Sequence, residues 1–419
     1  MKISQLLEKV IEKIKLTPEE EQEIKLRVDN FIKKFKKERN IAIVIGGSFA
    51  KKTLIRKQVY DVDIFVVFPK TKKNLSAKLE KILKKNKIKA ERLKGSRDYF
   101  QVKLAKNLVV ELIPILKIKE PKEAENITDA SLFHVDYVLK KIKLNEKLAD
   151  EIKLAKAFCR ACDCYGAESY IRGFSGYALE ILVCYYGSFL NFVKAASRWK
   201  SKEIIDPEKH YKNKEEILEK LNYAKLVSPL VLIDPVQASR NVTSALDEEN
   251  FKRFIEACKN FLARPSEKFF FKHKVVKEKW QKEAKKRKAK FFVVEAMSVS
   301  KKRDIAGAKL KKFFNFLCKL AELNDFKILE KYFDFDDKTL KANFYFIIKE
   351  PTKEKIITGP PVYAKKQFID SFKKKWKSVF IKNKRFYAKA KRKITNFKQL
   401  LAIPKKTLRE MKIKSVRIA

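Results

Sequence analysis

Apolar and polar positions alternate along this chain in three rhythms, and each predicts a different architecture. In residues 1–39, hydrophobic residues recur three and four apart among charges (MKISQLLEKVIEKIKL), which predicts one or two amphipathic helices bracing the strand-rich segment after them. Pro18 with Glu19 and Glu20 marks a helix start after Thr17. Residues 40–120 carry short apolar runs instead. A buried strand is predicted at Ile41 to Ile45, then a tight turn and a short helix at Gly46-Gly47-Ser48, then a second strand from Val62 to Phe68. A helix is expected near Leu75 to Lys85. The stretch VKLAKNLVVELIPILKI reads as an apolar strand with Glu111 in its middle.

From about 125 to 262 the rhythm is helical, and RGFSGYALEILVCYYGSFLNFVKAASRW is the most apolar segment of the chain. VSPLVLIDPVQASRNV reads as a strand ending at Asp234-Pro235, and a helix is expected from Asp247 to Leu262. The last third alternates: strand FFVVEAMSVS, helix AGAKLKKFFNFLCKLAEL, the strand pair FKILEKYFDF and KANFYFIIK, helix YAKKQFIDSFKKKW, then two strands in SVFIKNKRFYAKAKRK. That βαββαβ order suggests a ferredoxin-like sandwich. The expected fold class is α+β, in three parts. Residues 1–125 hold the N-terminal helices and a mixed-sheet palm, 126–262 a mostly helical central domain, and 263–419 a basic α/β body and tail.

The acidic residues of the second strand change the picture from architecture to chemistry. Asp61 and Asp63 project from one face of a strand, because strand side chains alternate with period two. Two such carboxylates repel and need a counter-charge, which a pair of divalent metal ions supplies in phosphoryl and nucleotidyl transfer. The backbone amides of the preceding Gly46-Gly47-Ser48 turn suit a triphosphate. Glu111 is a candidate third carboxylate, since an acid inside an apolar strand needs a partner; a salt bridge to a nearby lysine is the alternative.

Charge adds a partner. The 419 residues carry a net +48, unevenly spread: residues 261–419 hold 46 Lys+Arg against 15 Asp+Glu, whereas 1–260 hold 53 against 36. A C-terminal third this basic points to a polyanion, with nucleic acid ahead of an anionic membrane. Phe380, Phe386 and Tyr387 stand among Lys382, Lys384 and Arg385, an interleaving that suits RNA stacking and equally suits a core. No run of about 20 apolar residues is present, so no membrane span is expected. The six cysteines read as reduced thiols of a cytoplasmic protein. Cys159, Cys162 and Cys164 resemble a metal cluster but lack a second pair at zinc spacing.

Taken together, GGSFAKKT, DVDIFVVFP, VVELIPILKIKEPKEAENITD, YGAESYIRGFSGYALEILVCYYGSFL and LIDPVQASRNVTSAL resemble the archaeal-type (class I) CCA-adding enzymes, which are tRNA nucleotidyltransferases. The resemblance runs from about residue 40 to 262 and, more weakly, into the GPPV segment at Gly359 to Val362. It implies template-independent addition of C, C and A to the 3′ end of tRNA from CTP and ATP, with two Mg²⁺ ions and release of pyrophosphate. It implies that Asp61, Asp63 and Glu111 bind metal, with Glu111 where the family usually has Asp. Ser48, Lys51 (usually Arg), Lys156 and Tyr165 would hold the triphosphate, His134 would lie near the nucleotide, and Arg240 would read the base. The basic C-terminal third would clamp the tRNA acceptor arm and T-arm, and members often pair, so a homodimer is an expectation. A poly(A) polymerase or an enzyme adding only A or only C shares the palm, and an inactive RNA-binding protein on the same scaffold is the third reading.

Overall fold

A computed structural model describes residues 2–71, 74–272 and 276–419. They form two compact units, Met1–His273 and Lys274–Ala419. The first unit opens with helices α1 (Ile3–Ile14) and α2 (Pro18–Ile32), the latter capped by Thr17 and Glu20 in a reciprocal box. Five strands follow: β1 (Ala42–Ile45), β2 (Tyr60–Phe68), β3 (Glu91–Leu93), β4 (Tyr99–Ala105) and β5 (Leu108–Leu116). The sheet order is β1-β2-β5-β4-β3, with β2 and β5 parallel and the other neighbours antiparallel. The single strand expected around Glu111 is a hairpin of β4 and β5. The polar pair Lys106-Asn107 interrupts the apolar run and turns the chain between Ala105 and Leu108.

Alternation along β2 sets what each sheet face does. Val62, Ile64, Val66 and Phe68 pack with Val28 and Phe31 of α2 and with Leu79 and Leu83 of helix Leu75–Lys85. Phe65 and Val67 point the other way, with Ile115, against Val135 of helix Ser131–Leu144. Of the two N-terminal helices, α2 is the one that packs on the sheet. Leu6, Val10 and Ile14 of α1 join a second core instead. That core gathers helices Leu148–Ala161, Gly176–Tyr186, Phe189–Ala196 and Glu248–Ala263 around Phe158, Phe174, Phe189, Phe192, Phe254 and Phe261, all fully buried. The longest apolar segment breaks at Gly187 (φ 77°), and the helices on either side are bent by 98°. Among the described residues no single helix is long and apolar enough to cross a membrane. The strand expected before Asp234 is short: β7 (Leu230–Leu232) pairs in parallel with β6 (Glu203–Ile205), and the chain then folds back through Asp234.

In the second unit, β8 (Lys290–Ser298), β9 (Lys327–Asp336), β10 (Lys341–Lys349) and β14 (Ile413–Ile418) form an antiparallel sheet ordered β14-β8-β10-β9. Helix Arg303–Leu323 packs Leu310, Phe313, Phe314 and Leu317 into its core. This is the expected βαββαβ sandwich, but its closing helix and strand are Lys405–Glu410 and Ile413–Ile418. The segment assigned to that role from its pattern forms a separate sheet, ordered β11-β13-β12, from β11 (Glu354–Pro361), β12 (Val379–Lys382) and β13 (Arg385–Lys391). Helix Lys366–Lys375 belongs with it: Phe372 lies so close to Gly359 of β11 that a Cβ there would stand 2.6 Å from its ring.

Candidate functional site

The alternation that buries Phe65 and Val67 also carries Asp61 and Asp63 to the same sheet face. Asp63 is in register with Glu111, Phe65 with Ile113, and Val67 with Ile115. The apolar end of this face is covered by helix Ser131–Leu144, and the acidic end opens into a cleft of about 430 Å³. Asp63, Glu111, Gly47, Lys51, His134 and Tyr177 line it.

The glycine turn is pressed onto β2. The Gly46 amide donates to the Asp63 carbonyl at 2.8 Å. Gly47 has φ +60°, and a Cβ there would stand 2.6 Å from Asp63 Cγ, so only glycine lets the backbone lie against that carboxylate. Ser48 is the second residue of the short helix Gly47–Ala50, and its hydroxyl has no hydrogen-bond partner among the described residues. Asp61 is half-exposed and paired with Lys57. Glu111 accepts from Gln101 Nε2 at 3.1 Å. Burial, then the neighbouring Asp61, push Asp63 up to about 6 against the pull of Lys51, Lys57 and Lys156. Among the described residues no three His, Cys, Asp or Glu side chains close around one point. What the structure offers is a set of oxygen donors on one face, with Asp61 paired to Lys57. That donor chemistry fits hard divalent cations once Asp61 turns inward.

Helix Gly176–Tyr186 organises two further clusters. Glu180, 1% exposed, accepts from Lys51 Nζ at 2.6 Å, Lys156 Nζ at 2.8 Å and Thr53 Oγ1 at 3.1 Å. Burial alone would raise its pKa, but Lys156 and then Lys51 outweigh that and hold it at about 2. Tyr165 stands beside this group: a Cβ on Gly176 would meet the Tyr165 hydroxyl at 2.9 Å and Lys156 Cε at 3.8 Å. The second cluster surrounds Asp234, whose carboxylate is fully buried. It accepts from Arg240 at 2.7 Å, the Val236 amide at 2.9 Å and the Tyr177 hydroxyl at 3.1 Å. His134 Nε2 lies 3.2 Å from Asp234 Oδ2, an ion-pair separation too far out of line for a hydrogen bond, and its ring packs on Tyr177 with centroids 4.4 Å apart. Burial pushes Asp234 up, but contact with His134, then the Arg240 charge, hold it at about 2.

Asp63, Glu111, Lys51 and His134 therefore share one cleft, while Asp61, Ser48, Lys156, Tyr165 and Arg240 stand behind or beside it. Thr53, Glu180, Tyr177 and Asp234 escaped the sequence reading. Two of these carried a signal: Glu180 and Asp234 are lone acids inside apolar runs, ALEILV and VLIDPV. In the second unit the interleaved aromatics divide. Phe386 is core (7% exposed), whereas Phe380 and Tyr387 are partly exposed and stack at 5.7 Å beside a groove lined by Lys373, Trp376 and Lys377.

Residues 28–134 match the family described as nucleotidyltransferase domain, 150–271 that of tRNA nucleotidyltransferase, second domain, and 287–417 that of CCA-adding enzyme, C-terminal domain. The chain is 36% identical to the CCA-adding enzyme of Nanoarchaeum equitans over 342 residues, 81% of each chain. It is 30% identical to that of Methanocaldococcus jannaschii over 412 residues, 94% of this chain and 89% of the other. Among solved structures, the Cid1 poly(U) polymerase bound to MgATP aligns with a TM-score of 0.51 at 13% identity, over 64% of this chain and 98% of that one, a likeness of fold.

Proposed function

The chain belongs to the archaeal class I CCA-adding enzymes, and we propose that the cleft over β2 and β5 is where it adds C, C and A to the 3′ end of tRNA. The observation that carries the site assignment is the register of Asp63 with Glu111 on a sheet face whose acidic end is open, with the Gly47 turn seated on Asp63.

In this reading Asp61, Asp63 and Glu111 hold two Mg²⁺ ions, Asp61 exchanging Lys57 for metal. Bound there, the ions supply the charge that acidifies the attacking 3′-hydroxyl and steadies the leaving pyrophosphate. The new bond joins the 3′-oxygen to the α-phosphorus, and the bond from that phosphorus to the β-bridging oxygen breaks. The free Ser48 hydroxyl and the Lys51 ammonium meet the phosphates from the turn side. Lys156 and Tyr165 support that wall from behind. Arg240, held by Asp234, donates to the ring nitrogen that C and A both present as an acceptor, and His134 with Tyr177 bounds the base end of the cleft. The second unit supplies the phosphate contacts that recognise tRNA by shape rather than sequence.

Incorporation on a tRNA transcript lacking its 3′ CCA tests this, with Mg²⁺ and each nucleoside triphosphate alone and together. Two C additions from CTP, and one A once ATP is present, are expected. Long A tails would replace the reading with a poly(A) polymerase, and tight tRNA binding without incorporation would replace it with a non-catalytic RNA-binding protein.

A further inference from the structure

Glu180 lies in the middle of helix Gly176–Tyr186, and its neighbours Ala178, Leu179, Ile181, Leu182 and Val183 are all fully buried and apolar. A carboxylate in such surroundings persists only when paired. Its partners come from positions 24, 127 and 129 residues away, so the contact is a product of tertiary folding. Lys51 and Lys156, 6% and 3% exposed, bracket one carboxylate, which leaves the trio with a surplus positive charge.

The two lysines are not equivalent. Lys156 directs its N–H groups at Glu180 Oε1 (2.8 Å), Thr53 Oγ1 (2.9 Å) and the Thr53 carbonyl (3.4 Å), which accounts for all three. Lys51 has Glu180 as its one acceptor among the described residues, and it lines the cleft beside Gly47 and Asp63. Two of its N–H directions are left for an incoming anion. Thr53 is tied back to the turn through its amide, which donates to the Ser48 carbonyl at 2.9 Å. Glu180 thus joins the phosphate-facing turn, the Lys51 ammonium and the Lys156 strut.

We propose that Glu180 is a positioning residue for the nucleotide triphosphate: it anchors Lys51 at the cleft wall and compensates Lys156, so that one net positive charge faces the phosphates. The inference rests on the reading of the cleft as the nucleotide site. Without the carboxylate, two buried ammonium groups would be left unpaired side by side, and Lys51 would swing away to relieve them.

The test compares wild type with Glu180→Gln, which keeps the volume and one acceptor but removes the charge. Binding of tripolyphosphate is measured by calorimetry without tRNA, and KM and kcat for CTP and ATP with it. Tripolyphosphate affinity should fall, and KM for both nucleotides should rise, by about tenfold each, the loss of one charge-assisted contact. The kcat should change less than about threefold, since uniform binding is what is removed. The order of C and A addition and tRNA affinity should be unchanged. Unaltered tripolyphosphate binding and KM with a lowered melting temperature would reduce Glu180 to a structural ion pair. Tighter binding would make it a competitor of the phosphates. Either overturns the proposal. Glu180→Asp, which keeps the charge but cannot span both lysines, should show the same KM rise and decides the matter if the glutamine variant does not fold. Wild-type protein that binds no tripolyphosphate would instead remove the reading of the cleft itself.

Discussion

Gly47→Ala isolates the geometric heart of the site without touching a charge. It carries two costs. The backbone at Gly47 sits at φ +60°, where an alanine is strained by ~1–2 kcal/mol, which lowers the melting temperature by a few degrees. The second cost is functional. The new methyl would stand 2.6 Å from Asp63 Cγ and 2.9 Å from Asp63 Cβ. Carbon atoms rest ~3.5–4 Å apart, and Asp63 Oδ2 lies nearer the new methyl than Cγ does, so the carboxyl must retreat by at least about 1 Å. Asp63 is anchored by its own carbonyl to the Gly46 amide at 2.8 Å and flanked by buried Val62 and Ile64, so the backbone cannot absorb the move and the side chain must. A displacement of about 1 Å at reacting groups costs on the order of a hundredfold in rate. Single-turnover C addition to a CCA-less transcript at saturating CTP and Mg²⁺, at a temperature where circular dichroism shows the variant folded, reads the chemical step. A rate constant down about a hundredfold, with tRNA affinity unchanged, is expected. A rate within about threefold of wild type would mean that the Asp63 carboxylate has no fixed place in the reaction, and the metal assignment would go with it.

Asp234→Asn removes the charge that holds Arg240 at 2.7 Å and faces His134 at 3.2 Å; we expect discrimination of C and A against U and G to weaken, read as ratios of kcat/KM, while intact selectivity would refute Arg240 as the base reader. Because Asp234 is held at about 2 in the fold, below its ordinary value near 3.8, its stabilisation is full above pH ~4 and is lost as pH falls toward 2; the substitution should flatten that acid limb of a stability–pH curve, and a limb unchanged from wild type would deny the buried ion pair. The net +31 of residues 261–419 predicts that log affinity for tRNA falls against log salt with a slope of about −3 or steeper, and a flat dependence would make the lysine excess a matter of composition alone.

The elements that built the site were legible where local pattern decides structure. Period-two alternation placed Asp61 and Asp63 on one face, and the glycine pair announced a tight turn, though not its seat against Asp63. The closing strand of the C-terminal sheet was not legible. Ile413, Val416 and Ile418 alternate with charged and polar residues like any exposed segment, whereas Val379–Lys391 looks like a hairpin and is one, only in another sheet. Strand pairing across more than a hundred residues is chosen by packing, which the local rhythm does not encode.

The buried acids sharpen the same point. Asp63, Glu111, Glu180 and Asp234 all interrupt apolar runs, the first two half-buried and the last two buried, and each such carboxylate needs a partner. What differs is the partner, and that comes from elsewhere in the chain. Glu180 meets two lysines and Asp234 meets His134 and Arg240, and against burial both are held at about 2. Asp63 instead is raised to about 6, by burial first and by Asp61 second, against the pull of Lys51, Lys57 and Lys156. An acid satisfied by protein cations is finished as a structure. Asp63, with no ion pair among the described residues and Asp61 beside it, is left open to positive charge from outside the chain. The direction of the electrostatic imbalance, more than the presence of a buried carboxylate, separates the residues that position the site from those assigned to its chemistry.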